Sequence, residues 1–351
     1  MDRKSKMWVG FCVFALVIFG SSLLSLVQAA ENPITLTAHD PAMSRGYTKA
    51  WEWWGKEVEK QTNGEIRVKF LWGGVLGGAK EALESLRNSV YDLSMVPPTY
   101  VPKQLPLSTV YEVPFVTSSM WAFGMTMWDM KDVPVLKNEF ERWKVKVLIP
   151  IMPSSFEFMS RKPLRNLADF KGLKIRAYGM FADVLNNFGA HCVSIASNEL
   201  YENMQRGVVD AGILPWPDFF VNYRVNELSK YALVTPGFGY IANPFCISMD
   251  TWNKIPAKNQ EIMLKLAQVA RDKNIEITRE LAAPALALIK KQGIEVNTLS
   301  KAERDKMVDA AKKSWEGWIK EQEKDGHKEA RTILETVIKK AKEYEAKDPY
   351  K

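Results

Sequence analysis

With 351 residues, 46% of them hydrophobic and 25% charged, the chain is long enough for two domains with ample core. Its net charge of +7 is mild, and Lys and Arg are dispersed among Asp and Glu, which excludes the basic stripe of a nucleic-acid binder. Three cysteines and three histidines, scattered along the chain, argue against a zinc centre, and no segment calls for a cofactor.

The first 29 residues read as an export signal. Asp2–Lys6 is net basic, Met7–Val27 is apolar or small and uncharged, and Val27-Gln28-Ala29 offers small residues where signal peptidase cuts, between Ala29 and Ala30. An uncleaved anchor is the alternative, since a run of about 20 residues spans a bilayer; the small-residue end favours removal. Cys12 lies early in the run, which speaks against a lipid anchor. Removal leaves 45 basic and 40 acidic side chains, a net +5, with Cys192 and Cys246. Those two either pair in an oxidising compartment or stay as buried free thiols. The mature chain is expected to be soluble and periplasmic.

Pro33–Thr37 reads as a strand. A helix from Ser44 to Gln61 follows, with Trp51, Trp54 and Val58 on its core face and Trp53 alongside. Asn63-Gly64 stops it, and Glu65–Leu71 alternates as a second strand. The loop holding Gly73, Gly74, Gly77 and Gly78 lacks the Gly-Lys-Ser/Thr ending and the dinucleotide spacing, so it is no phosphate cradle. A helix at Ala79–Asn88 and a strand at Asp92–Val96 complete a βαβα pattern, which calls for α/β architecture with mostly parallel strands. Leu164–Lys174 is expected to link two lobes, and Leu173–Arg176 to be a short strand followed by a helix at Met180–Gly189. Tyr240–Met249 reads as a strand. Pro256 opens a helix running to Lys291, with Pro284 predicting a kink or break. Gly293–Asn297 is a short strand, Ser300-Lys301-Ala302-Glu303 is a capping box, and Lys328–Lys347 reads as a charged, solvated helix.

A gapless internal repeat runs at an offset of 118 positions, matching Glu81, Glu84, Val90, Asp92 and Pro97 with Glu199, Glu202, Val208, Asp210 and Pro215. Both copies read as helix, tight turn, buried strand and a terminating proline. Two similar α/β lobes facing each other follow, with Asp210 bracing its turn. Ligands of open α/β sheets bind beyond the carboxyl ends of strands. That places Pro97–Tyr100 and Leu214–Phe219 on a shared cleft. Arg176 ends a strand and carries a planar, permanently charged fork that matches a carboxylate. Its alternative role is a structural ion pair with Asp169 or Asp183.

Several segments resemble the solute receptors of tripartite ATP-independent periplasmic (TRAP) transporters, of the C4-dicarboxylate-receptor type. They are Lys56-Glu57-Val58 with Gly64-Glu65-Ile66, Tyr111–Val116, Leu167–Arg176, Glu199-Leu200-Tyr201 and Gln205–Asp210. The resemblance spans the mature chain. It implies a periplasmic-binding-protein fold of two lobes about a hinged central cleft, with a long helix spanning both. It also implies that Arg176 pairs with a substrate carboxylate, and that the loaded receptor docks on a membrane permease driven by an ion gradient. In members that bind sialic acid, a second arginine and an asparagine help; Phe156 and Leu214 stand at those positions here, which speaks against a multiply hydroxylated sugar acid.

The expected organisation is a signal peptide at 1–29, lobe I at 30–153 plus 240–279, lobe II at 154–239 plus 280–325, and a helical tail at 326–351. The expected cleft lining is His39, Asp40, Trp72, Pro97, Tyr100, Phe156, Arg176, Leu214, Trp216 and Phe219, with Asn243 on the hinge side. Such an aromatic lining with one cation suits a carboxylate on an apolar or aromatic body. A C4-dicarboxylate needs a second cation, for which Arg161 or Lys162 is available. No nucleophile elbow, HExxH or spaced acid pair marks an enzyme. A receptor for an ATP-driven importer is a further alternative. The expected partners are a small organic acid and permease subunits, and a monomer is favoured over a dimer.

Overall fold

The structure, a computed structural model, describes residues 32–40, 46–150, 155–240 and 243–350. The expected leader, the helix start at Ser44 and the first residues of the Tyr240–Met249 run after Tyr240 lie outside these. No helix among the described residues is long and apolar enough to cross a membrane.

Two sheets form. The first has the order β2-β1-β3-β10-β4, from β1 (Ile34–Asp40), β2 (Ile66–Trp72), β3 (Leu93–Met95), β4 (Val145–Ile149) and β10 (Phe245–Ser248). The second has the order β11-β9-β5-β8-β6-β7, from β5 (Phe156–Ser160), β6 (Lys174–Arg176), β7 (His191–Val193), β8 (Ala211–Pro215), β9 (Tyr231–Val234) and β11 (Glu295–Thr298). The two share a plan. In each, a parallel trio (β2-β1-β3 and β7-β6-β8) meets an antiparallel strand that has just arrived from the other sheet, β10 and β5 respectively.

Both copies of the sequence repeat fold alike. Helix Ala82–Arg87 leads through a turn to β3, and helix Leu200–Gln205 leads through Gly207, at φ 75°, to β8. Helix α1 (Thr48–Gln61) buries Trp51, Trp54 and Val58 as its spacing demands, with Trp53 half-buried. Trp51 stacks on Phe245 of β10 at 4.4 Å, and Trp54 Nε1 donates to the Met263 carbonyl at 3.1 Å. Each such buried ring contributes roughly 1.5–3 kcal/mol by area, plus its polar contact.

The long helix runs Ala257–Lys291 without a break, Pro284 being exposed within it. It packs on α1 beside the first sheet and on helix Asp218–Asn222 beside the second. Segment Leu164–Lys174, expected to link the lobes, instead stays in the second unit and connects β5 to β6 through a one-turn 3-10 helix capped by Asn166 and Asp169. Two helices carry no sequence assignment: Pro134–Arg142, which packs on β4, and Met120–Met130, which packs on the C-terminal and long helices. The C-terminal helix Ala330–Glu345 is not a solvated tail: Ile333, Leu334, Val337 and Ala341 are buried against helix Met120–Met130. Cys192 and Cys246 are free thiols, one in β7 and one in β10, so the open question of their pairing resolves as two thiols in separate sheets.

Candidate ligand-binding site

Arg176 is the last residue of β6, between β7 and β8, where the parallel strands end. Its neighbour across β8 is Gly212, a position where a Cβ would meet the Leu200 side chain at 2.6 Å. The arginine side chain is fully buried. Nε donates to the Ile195 carbonyl and Nη1 to the Ile213 carbonyl, both at 2.8 Å. Nη2 donates to Tyr100 Oη at 3.1 Å and to Ser197 Oγ at 3.0 Å. The guanidinium also lies over the Tyr178 ring, 4.8 Å from its centroid. Burial pushes the Tyr178 phenol well up, with the Glu112 charge adding to the effect and Arg176 opposing it.

Among the described residues, every hydrogen-bond partner of this cation is neutral. The two acids offered by the sequence are engaged elsewhere: Asp169 accepts from the Arg165 and Asn166 N–H groups, and Asp183 accepts from Ser314 Oγ. A desolvated cation without an anion is costly, whereas an anion brought to it recovers that cost. Arg161 and Lys162 do not reach this place. Arg161 donates to the Met204 carbonyl, and Lys162 bridges to Asp210 at 2.8 Å on the surface.

Tyr100 belongs to the turn Pro98–Tyr100 that follows β3, so its hydroxyl reaches Arg176 from the opposite sheet. The same oxygen accepts from the Ser197 N–H at 3.3 Å. Beside this junction lies a cavity of about 30 Å³, lined in part by Pro97, Tyr100, Phe219 and Asn243 from the expected set. Tyr47, Met95, Ser197, Asn198, Pro215 and Tyr223 complete most of the wall. Tyr47 stacks on Phe219 across the two units at 5.4 Å. Asn243 is 3% exposed, and its Oδ1 has no hydrogen-bond partner among the described residues.

The other expected residues do not line this cavity. His39 and Asp40 are buried at the end of β1. His39 stacks on Tyr91 at 4.8 Å and its Nε2 accepts from the Leu76 N–H, while burial pushes its imidazole down. Trp72 stacks on Phe70 at 5.1 Å. Phe156 packs edge-on to Phe181 in the core of the second unit, and Leu214 is fully buried among apolar side chains. Trp216 lines a separate cavity of about 620 Å³ against the long helix, with Trp121, Tyr240 and Arg279. Ser197 and Tyr47 carry no sequence signal of their own; only the fold brings them to Arg176 and Phe219.

Among the described residues no cluster of His, Cys, Asp and Glu is arranged to hold a metal ion. The geometry brings together one buried cation, two hydroxyls and an aromatic wall.

Comparison with known proteins identifies the family. A C4-dicarboxylate-binding periplasmic protein of Rhodobacter capsulatus is 27% identical over 301 residues, 82% of this chain and 88% of that protein. A solute-binding protein of Albidiferax ferrireducens is 27% identical over 264 residues, covering 74% and 77%. The crystal structure of a TRAP periplasmic solute-binding protein from Desulfovibrio salexigens matches with a TM-score of 0.77 at 26% identity, covering 90% of this chain and 98% of that one. A marine metagenome TRAP solute-binding protein, specific for aromatic acid ligands, shares the fold with a TM-score of 0.81 at 20% identity, covering 89% and 99%. The model of the bacterial extracellular solute-binding proteins, family 7, matches residues 37–322. The chain belongs to that family of extracellular solute-binding proteins, the periplasmic receptors of TRAP transporters.

Proposed function

We propose that this receptor captures an organic monocarboxylate with an apolar or aromatic body and delivers it to a TRAP-type permease for uptake driven by an ion gradient. The carrying observation is the fully buried Arg176 guanidinium, whose hydrogen bonds all run to neutral groups, next to a cavity walled by Tyr47, Tyr100, Phe219 and Tyr223. The Nε proton is committed to Ile195, so a carboxylate approaches Nη2, where hydroxyls and not main-chain carbonyls are the partners to exchange. One cation favours one carboxylate. The lack of Arg161 and Lys162 from the cleft weighs against a C4-dicarboxylate.

At about 30 Å³ the cavity has room for about one water, so an acid enters only when the lobes part. Parting them breaks the contacts of Tyr100 with Arg176 and of Tyr47 with Phe219. Reclosure over the acid removes water and strengthens its pairing with Arg176. Isothermal titration with a panel of mono- and dicarboxylic acids tests this reading. An aromatic or branched monocarboxylate should bind, Arg176→Ala should abolish binding while leaving the melting temperature of the folded protein measurable, and small-angle scattering should show compaction on binding. Retained affinity in Arg176→Ala, or a preference for succinate or malate that depends on Arg161 or Lys162, overturns it.

A further inference from the structure

Resting on that reading, we infer that the ligand's apolar body carries one hydrogen-bond donor, a hydroxyl or an amine, and that Asn243 is the residue that selects for it. Asn243 is 3% exposed, lines the cleft cavity, and holds an amide oxygen that no described residue satisfies. A buried amide acceptor left unpaired costs about as much as a hydrogen bond is worth, and it is rarely left so unless something arrives to meet it.

Asn198 and Tyr223 also belong to the wall, but Asn198 is exposed, where water satisfies its amide, and Tyr223 is only half-buried. Tyr47 Oη already donates to Met95 Sδ at 3.5 Å, and Tyr100 and Ser197 are committed to Arg176 and to each other. Met95, Pro97, Pro215 and Phe219 offer only apolar surface. The cavity thus offers a ligand two buried polar places: the Arg176 junction, which takes an anion, and Asn243 Oδ1, which takes a proton donor. Asn243 stands just before Pro244 and β10, the strand that enters the first sheet from the second. Its neighbour Pro244 is fixed by a hydrogen bond from the Val96 N–H at 2.9 Å, which anchors the amide-bearing backbone to the end of β3. A ligand that spans both places touches the backbone of the first sheet at one end and Arg176 of the second at the other.

Recognition of this type discriminates strongly, because an analogue that lacks the donor leaves the buried acceptor empty. The test uses three probes against the full mature chain: phenylacetate, 3- or 4-hydroxyphenylacetate, and the corresponding methoxyphenylacetate. The hydroxy acid should bind at least tenfold more tightly than phenylacetate, and the methoxy acid, which cannot donate, should bind no better than phenylacetate. Asn243→Leu removes the acceptor while keeping a side chain of similar size; the ratio of hydroxy-acid to phenylacetate affinity should fall from at least tenfold to about one. Equal binding of hydroxy acid and phenylacetate by the wild type, or a hydroxyl preference that survives Asn243→Leu, overturns the inference. The three-probe series in the wild type decides even where the variant fails to fold. If no aromatic acid binds in an Arg176-dependent way, the proposed function itself falls; if the acids bind through Arg176 without a hydroxyl preference, only the role of Asn243 falls.

Discussion

The Glu157 carboxylate accepts a hydrogen bond from the Thr235 N–H, and so ties the start of β5 to the end of β9. Both segments are where the chain changes sheets, and Ser155 Oγ adds a second bond to the same carboxylate at 3.1 Å. Burial pushes the Glu157 carboxyl up to about 8, against the opposing pull of Thr235, Ser155 and the Arg304 charge. The native state therefore holds a proton that the unfolded chain releases near pH 4.5. Between those two values unfolding releases this proton, so the contribution of Glu157 to stability falls as pH rises, by up to about 1.4 kcal/mol per pH unit, and levels off above pH 8. Glu157→Gln should flatten that part of the profile. Melting temperatures from pH 4 to 9 measure it, and an unchanged slope in the variant refutes the assignment.

Asp92 and Asp210 hold matched places in the two copies of the repeat. Asp92 accepts from the Thr37 N–H at 2.7 Å and from Thr251 Oγ1 at 2.6 Å, and Asp210 accepts from the Lys174 N–H at 3.3 Å. Asp210 thus closes the head of β6, and Asp92 ties its turn to the middle of β1, just before β3 begins to pair with it. Asp92→Ala should cost about 2 kcal/mol, since it strands two donors. Asp210→Ala should cost less, about 1 kcal/mol, because its other partner, Lys162, is largely solvated and screened. Urea titrations of the two variants rank them, and the reverse order would show that the surface bridge matters more than the strand contact.

That pairing explains why so much of the fold was legible. A gapless repeat that keeps the spacing between acid, strand and proline carries its own register, so the repeat marks the two strand ends and the segments with Tyr100 and Phe219 beyond them, while the run Leu173–Arg176 marks Arg176 as a strand end. Phe156 and Leu214 were not. They sit on β5 and β8, paired antiparallel with Phe156 opposite Pro215, and which face such a residue presents depends on a register that no local pattern fixes. Helix Met120–Met130 escaped notice because it is apolar nearly all round, covered on its outer side by the C-terminal helix, and so lacks the one-sided stripe that marks a surface helix. Tyr47 meets the site through its contact with Phe219 across the two sheets, and Ser197, just after β7, through its bond to Arg176 within the second; sequence spacing encodes neither.

The thiols make a third prediction. Burial pushes Cys192 up to about 12, with the Asp183 charge adding to the effect, and pushes the fully buried Cys246 well up too. Since the thiolate is the reactive form, neither should titrate with a disulfide reagent at pH 8 in the native mature protein, and both should react at once in denaturant. Peptide mapping without reductant should find no Cys192–Cys246 link. Recovery of that linked peptide from freshly purified periplasmic protein would contradict the separation of the two sheets.

The C-terminal helix makes the last. Ile333, Leu334 and Val337 are buried against helix Met120–Met130, and its polar edge is fixed at the same place: Lys340 Nζ and Tyr344 Oη both reach Asp129, at 2.7 and 2.8 Å. Farther on, Glu345 accepts from Ser118 Oγ at 2.7 Å and Asp348 accepts from Ser119 Oγ, while Tyr350 lies 4.2 Å from the Arg279 guanidinium on the long helix. The segment is thus part of the first unit's core and not an appendage. Val337→Asp places a charge in that interface and should cost at least about 3 kcal/mol, whereas Lys340→Ala, removing one half-exposed ion pair, should cost under about 1 kcal/mol. Truncation after Gly326 uncovers the face of helix Met120–Met130 on which the C-terminal helix packs and should lower the melting temperature sharply and promote aggregation, with organic-acid binding lost only through unfolding, since Arg176 and the cleft wall lie elsewhere. Denaturant midpoints for the two point variants, with titration of acid at a temperature where the truncated chain is still folded, separate these effects; a truncated chain of wild-type stability would mean that the helix is dispensable to the core it covers.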